Sequence, residues 1–140
     1  MQVKVVESKQ ELEDTFQVRH AVFVEEQRVP AELEIDDYEN QAYHFVAYDS
    51  SKPTAAGRFR VINQIAKAER ICVLSSYRKT GLGQLLMKSI EKHARELDLK
   101  EIKLNAQRTA VGFYEKLGYK TVSGEFIDAG IPHVTMIKTL

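Results

Sequence analysis

The sequence predicts a mixed α/β sheet, and three observations carry that expectation. Short runs rich in β-branched and aromatic residues recur between turn signals. Leu82, Leu85, Leu86, Ile90, Ala94 and Leu97 form an apolar stripe at the helical period. The strand ending near Val73 passes into that helix through the glycine turn Arg-Lys-Thr-Gly-Leu-Gly, the layout of a crossover.

The elements follow in order. Gln2–Val6 reads as a short strand. Ser8-Lys9-Gln10-Glu11 has capping-box spacing, in which hydroxyl and carboxylate satisfy backbone N–H groups at a helix start. The helix that follows carries Leu12, Phe16 and Phe23 on one face, and Arg19 falls on that same face. Pro30 ends it, and 32–39 reads as a loop or short helix. Strands are expected over His44–Tyr48, Ala55–Ile62 and Ala68–Leu74, the first two joined by a turn at Asp49–Pro53. After the striped helix, Ile102–Asn105 is a strand. A further helix ends at Leu117, with Gly118 placed to turn left-handed just beyond it. Strands near Tyr119–Val122 and His133–Ile137 close the chain. The order is β, α, an antiparallel meander, then β–α–β–α–β–β.

Composition narrows the function. The length of 140 residues fits one domain with a single core, spanning 1–140. Twenty basic residues balance twenty acidic ones, so neither nucleic acid nor an anionic membrane is expected as partner. The single cysteine, Cys72, excludes an internal disulfide and a thiolate-rich metal site, and no metal is expected. The start turns polar after six residues, too soon for a signal peptide, and no membrane-length apolar run occurs; a cytoplasmic location is expected. A homodimer is a plausible assembly.

The glycine turn is where chemistry enters. A helix start leaves backbone N–H groups unpaired and carries partial positive charge. Glycines allow close approach of a ligand, and Arg78 and Lys79 add cations. Together they describe a cradle for a phosphate or pyrophosphate; the plain alternative is a punctuated turn with solvated cations. A P-loop is excluded, because Gly83 is followed by Gln84-Leu85 and not Lys-Ser/Thr. A dinucleotide fingerprint fits poorly, with Leu86 where a small residue belongs and Glu101 at the wrong end of its strand.

Arg-x-x-Gly-x-Gly after an apolar strand resembles the acetyl-CoA signature of the GNAT superfamily of N-acetyltransferases. "ERICVLSSYRKTGLGQLLM" looks like that family's fourth strand and pyrophosphate loop, and "LNAQRTAVGFYEKLGY" like its next segment. "VRHAVFVEEQRVP" and "DAGIPHVTM" are similar to the ElaA/YjcF-like branch. The resemblance covers nearly the whole chain. It implies a GNAT fold: a mostly antiparallel sheet of six or seven strands, helices on both faces, and a splay between the fourth and fifth strands.

It also implies roles. The main chain of Ile71, Cys72 and Val73 would pair with pantetheine. The amides of Arg78, Lys79, Thr80, Gly81, Leu82 and Gly83 would hold the pyrophosphate of acetyl-CoA. Asn105 would bond the pantetheine arm or else cap the following turn. Tyr114 would donate to the departing sulfur, where the plain reading is a core aromatic. A phenol near ~10 and a thiol near ~8.5 make full proton transfer uphill by about 2 kcal/mol, so a hydrogen bond is the safer description. An amine acceptor must lose a proton, and the candidate bases are His133, Glu69 and solvent. Alternation puts Glu69 on one strand face with Ile71 and Val73, with pairing to Arg58 or Arg60 as its structural role. Arg19, Arg58 and His44 form a candidate acceptor-binding group, although an arginine on an apolar face more often has a structural partner such as Glu26 or Glu34. Cys72 reads as a small core residue. The expectation is an acyltransferase moving an acetyl group to a small-molecule primary amine. The rivals are a CoA-binding module without turnover and an acyl-homoserine-lactone-synthase-like enzyme.

Overall fold

Alternating apolar residues build one sheet in the computed structural model, which describes residues 1–140. β1 (Gln2–Val5), β2 (Tyr43–Asp49), β3 (Lys52–Ile62) and β4 (Ile65–Val73) form an antiparallel meander. Asn63 and Gln64 both take positive φ between β3 and β4, as a tight two-residue hairpin turn requires. β5 (Glu101–Gln107) lies parallel to β4, reached through helix α3 (Leu82–Glu96). β8 (Ile131–Thr139) returns antiparallel to β5, and both β6 (Lys120–Thr121) and β7 (Phe126–Asp128) pair with β8. The sheet therefore has eight strands where seven runs were expected. The extra one is β7, too short to announce itself by periodicity.

Helices cover both faces. On one, α3 sets Leu82, Leu86, Met87, Ile90 and Ala94 against Phe45, Phe59, Ala66 and Ala68. Leu85 and Leu97, expected in this stripe, are exposed, and Met87 takes the buried position. On the other face, α1 (Lys9–Arg19) continues into a π-helix over His20–Glu26 and buries Val18 and Val22 against Ala56 and Cys72. Leu12, Phe16 and Phe23 are only partly buried; the fully buried positions are Thr15, Val18, Arg19 and Val22. The wider π turn rotates the later side chains away from the face that strict α periodicity gives them. At the start of α1, the Glu11 N–H donates to Ser8 Oγ at 3.1 Å, while Glu11 Oε1 accepts from Glu7 and not from Ser8 itself. Two short helices, α2 (Ala31–Glu34) and α4 (Val111–Lys116), complete the fold. No helix is long and apolar enough to cross a membrane.

One irregularity shapes everything that follows. Ala56 faces Cys72 and Arg58 faces Glu69, so β4 carries one residue more than β3 across that step. The extra residue is a β-bulge, and Arg70 sits there at φ 59. A bulge shifts the alternation of side chains. Ile71 packs toward Ile90 and Leu86 on the α3 side, while Glu69 lies with Arg58 on the α1 side. Glu69 thus does not share a face with Ile71 and Val73, contrary to strict alternation. Beyond the bulge β4 also leaves β5: they pair only over Ile65–Ala68 and Glu101–Leu104.

Candidate active site

The two parting strands open a cleft of ≈ 980 Å³, floored by Ile71, Cys72 and Val73 on one side and Asn105, Ala106 and Gln107 on the other. The β5-facing edge of β4 is unpaired past Ala68, so backbone donors and acceptors line the opening.

One end of the cleft is the start of α3. Gly81 is its N-cap at φ 87, a backbone state in which a side chain is strained. The N–H groups of Lys79 through Gln84 have no partner in the protein, and Lys79 itself stands at φ 61. This is the anion cradle the turn predicts. Its cations divide, however. Lys79 is uncommitted, whereas Arg78 is clasped by both carboxylate oxygens of Glu26 at 2.6 Å and donates through Nε to the Val73 carbonyl. Thr80 spends its hydroxyl on the Tyr77 carbonyl, and the Leu82 side chain is in the core, so each offers only its amide. Gly83 answers a packing demand: a Cβ there would stand 3.2 Å from Phe113 Cζ.

Tyr114 lies on the α4 face that packs into the core, its ring edge-on to Phe113 and Tyr119. Its hydroxyl makes no hydrogen bond within the protein and borders the cleft. Burial, with the nearby Cys72 adding a smaller push, raises the phenol above its ordinary range and keeps it protonated. Burial likewise pushes the Cys72 thiol up to about 12, which makes it a poor nucleophile. Asn105 Oδ1 accepts from the Thr135 hydroxyl at 2.9 Å, which commits that oxygen and leaves the amide N–H₂ free toward the cleft.

His133 also lines the cleft, its ring stacked on Phe126. Its Nδ1 is 2.7 Å from the Ile131 carbonyl, and a carbonyl only accepts. The proton of the neutral ring is therefore on Nδ1, and Nε2 carries the lone pair. Glu69 is differently placed. Although it borders the cleft, its oxygens accept from Arg58 and from Arg60, with Lys67 at 3.7 Å. Burial alone would raise its pKa, but these cations hold it below the ordinary carboxylate range, which weakens it as a base.

The expected acceptor-binding group of Arg19, His44 and Arg58 lies off the cleft. Arg19 is fully buried, donating to the carboxylates of Glu34 and Glu39 and to the Glu34 carbonyl. Arg58, also buried, is taken up by Asp36, Glu39 and Glu69. His44 Nε2 bonds the Glu39 carbonyl at 2.8 Å, and burial lowers its pKa. With every guanidinium fork occupied, these residues anchor the acidic stretch 34–39 to the sheet and do not reach an acceptor. Residues the motif reading passed over do line the cleft: Gln27 and Gln107, joined by a hydrogen bond of 2.8 Å, and Asp128. Their amides and carboxylate carry no spacing signal; the end of the π-helix brings Gln27, and strands β5 and β7 bring Gln107 and Asp128.

Comparison with known proteins agrees with this geometry. The family model for the acetyltransferase (GNAT) domain matches residues 6–140. The Bacillus subtilis protein YjcF, described as an uncharacterized N-acetyltransferase, is 49% identical over 139 residues, 99% of each chain. A Lactobacillus plantarum crystal structure superposes with TM-score 0.93 at 27% identity, covering 99% of this chain and 97% of that one. Escherichia coli ElaA superposes with TM-score 0.86 at 25% identity over 98% of both.

Proposed function

Since the chain belongs to the GNAT family of acetyltransferases, and is an acyltransferase on that ground, we propose that it moves an acetyl group from acetyl-CoA to a primary amine of a small molecule, by direct attack in a ternary complex. The observation that carries this reading is the cleft itself. It brings together unpaired amides at the start of α3, a free strand edge along its floor, a protonated phenol and an imidazole lone pair.

Acetyl-CoA, when bound, supplies an activated thioester carbonyl. Lys79 and the amides of residues 79–84 suit its diphosphate, and the freed edge of Ile71–Val73 suits the amide-bearing arm. The same edge has N–H groups placed to steady negative charge on a carbonyl oxygen. His133 Nε2 accepts the proton that the acceptor ammonium must lose before its nitrogen attacks. A nitrogen–carbon bond forms, the carbon–sulfur bond breaks, and the electron pair leaves on sulfur. Tyr114 donates a hydrogen bond to that thiolate without surrendering its proton, consistent with a phenol pushed above its ordinary range. Cys72 takes no part in covalent transfer. Residues 1–140 serve as one catalytic domain in this scheme, with the cytoplasm as its place of work.

The test is release of CoA thiol from acetyl-CoA across a panel of small primary amines. Amine-dependent release supports the reading. Tight binding of CoA with no release against any amine would identify a binding module with this fold instead.

A further inference from the structure

The cleft carries two charges that nothing inside the protein uses. Along its walls Glu34 is held by Arg19 and Arg70, Glu69 by Arg58 and Arg60, and Arg78 by Glu26. Lys67 leans on Glu69. Two ionised side chains remain with no ion pair and no hydrogen bond: Lys79 and Asp128. Lys79 stands beside the free amides of α3, where an anion belongs. Asp128 stands on the β7–β8 hairpin near His133, where a cation belongs.

Strand register fixes where Asp128 is relative to the imidazole. In the β7–β8 hairpin Phe126 opposes His133 and Asp128 opposes Ile131. Positions two apart share a face, so these four side chains lie on one side of the hairpin. Asp128, Ile131 and His133 all line the cleft. The carboxylate is thus displaced from the imidazole by two strand residues, ~7 Å along the hairpin, with apolar Ile131 directly across from it. Val22, Phe23 and Val29 add apolar lining to the same cleft.

Resting on the acyl-transfer reading above, we propose that the acceptor is a diamine, one amino group meeting His133 while the second, as an ammonium, is held by Asp128. A chain of about four or five carbons spans the ~7 Å separation, and its methylene groups suit the apolar wall. A carboxylate at the far end of the acceptor would meet Asp128 as a like charge. A simple alkylamine would leave the carboxylate to water. The acetyl group goes to the amine at His133, so the product is a mono-acetylated diamine that keeps one positive charge.

The test separates binding from turnover. Calorimetry on protein saturated with CoA compares 1,4-diaminobutane with butylamine, in wild type, Asp128→Asn and Asp128→Glu. Asp128 is exposed, so the diamine should bind about three- to fivefold more tightly than the monoamine, the range of an exposed ion pair, with a preference that shrinks as salt rises. Asp128→Asn should bring the ratio to about one, and Asp128→Glu should keep most of it. Equal affinity for the two amines in wild type, no binding of either, or a preference that survives Asp128→Asn overturns the proposal. If the Asp128-dependent preference stands while acetyl-CoA is not consumed, the site binds diamines and the acyl-transfer reading is what fails.

Discussion

Glu39→Gln should cost the protein about 2–3 kcal/mol at neutral pH, and that cost should vanish in acid. Glu39 is buried and accepts from Arg19 at 2.9 and 2.8 Å, from Arg58 at 2.7 Å and from the Asp36 N–H at 3.1 Å. Burial alone would raise its pKa. The hydrogen bonds and charge of Arg19, and then Arg58, overcome that and hold it at about 2 against an ordinary 4.5. Converted at 1.36 kcal/mol per pH unit, the difference is about 3 kcal/mol in favour of the ionised fold. Glutamine keeps the shape and one acceptor, which trims the loss. The folded pKa is depressed, so this stability is fully present above pH 4.5 and is lost as pH falls from there through about 2. Thermal unfolding of both proteins from pH 7 to pH ~2.5 should show two curves converging across that window, with a gap at pH 7 of roughly 6–10 °C in Tm. A gap that is as wide at pH 3 as at pH 7 would refute the electrostatic account and point to packing alone.

Other outcomes follow from the cleft. Tyr114→Phe should lower kcat about 10- to 100-fold with little change in CoA affinity, the loss of one hydrogen bond to a developing thiolate; an unchanged kcat would leave the phenol a packing residue. His133→Gln should lower kcat/KM about 100-fold while CoA binding persists, and an unaltered rate would assign proton removal to solvent. Gly81→Val meets no steric obstacle but forces a β-branched residue to φ 87, so it should lower stability by about 1–2 kcal/mol and weaken CoA binding in calorimetry; wild-type affinity would separate the turn from the cofactor. Gly57→Ala puts a Cβ 2.7 Å from Ile71 Cδ1, and adding Ile71→Val, which deletes that methyl, should recover much of a roughly 1 kcal/mol loss in thermal unfolding.

What the sequence discloses follows from which physics is local. The crossover helix, the Ser8 helix cap and the glycine turn are decided by neighbours within a few residues, and each stands where its letters put it. The bulge is different. Glu69-Arg70-Ile71 contains no glycine, and its residues alternate as well without a bulge as with one. Only pairing with β3 reveals the extra residue, and with it the face of Glu69. Arg19 was legible as a cation in need of a partner, and Glu34 as one candidate. That Glu39 and Arg58 join them needed the chain to fold the acidic stretch over the sheet. Lys79 and Asp128, the two uncommitted charges of the cleft, are ordinary surface letters until the fold brings both to its lining.

The ion network and the cleft are one construction, joined at Arg70. Its backbone, at φ 59, makes the bulge that parts β4 from β5. Its side chain donates to the carbonyls of Leu33 and Glu34 and pairs with Asp36 and Glu34, tying the wall segment to the same point. Arg70→Gly and Arg70→Ala lose the same side-chain contacts, so their difference isolates the backbone. In a regular strand glycine is the weaker of the two by about 0.5–1 kcal/mol. At positive φ alanine carries a Cβ clash of about 1 kcal/mol that glycine lacks, so the order should invert, with Arg70→Gly the more stable in urea unfolding. Alanine can escape the clash only by relaxing the bulge, which would draw β4 back toward β5 and narrow the floor of the cleft. CoA affinity should then fall further in Arg70→Ala than in Arg70→Gly. If alanine proves the more stable and binds CoA equally well, the opening does not depend on the left-handed residue, and the splay must be held by the ends of the two strands instead.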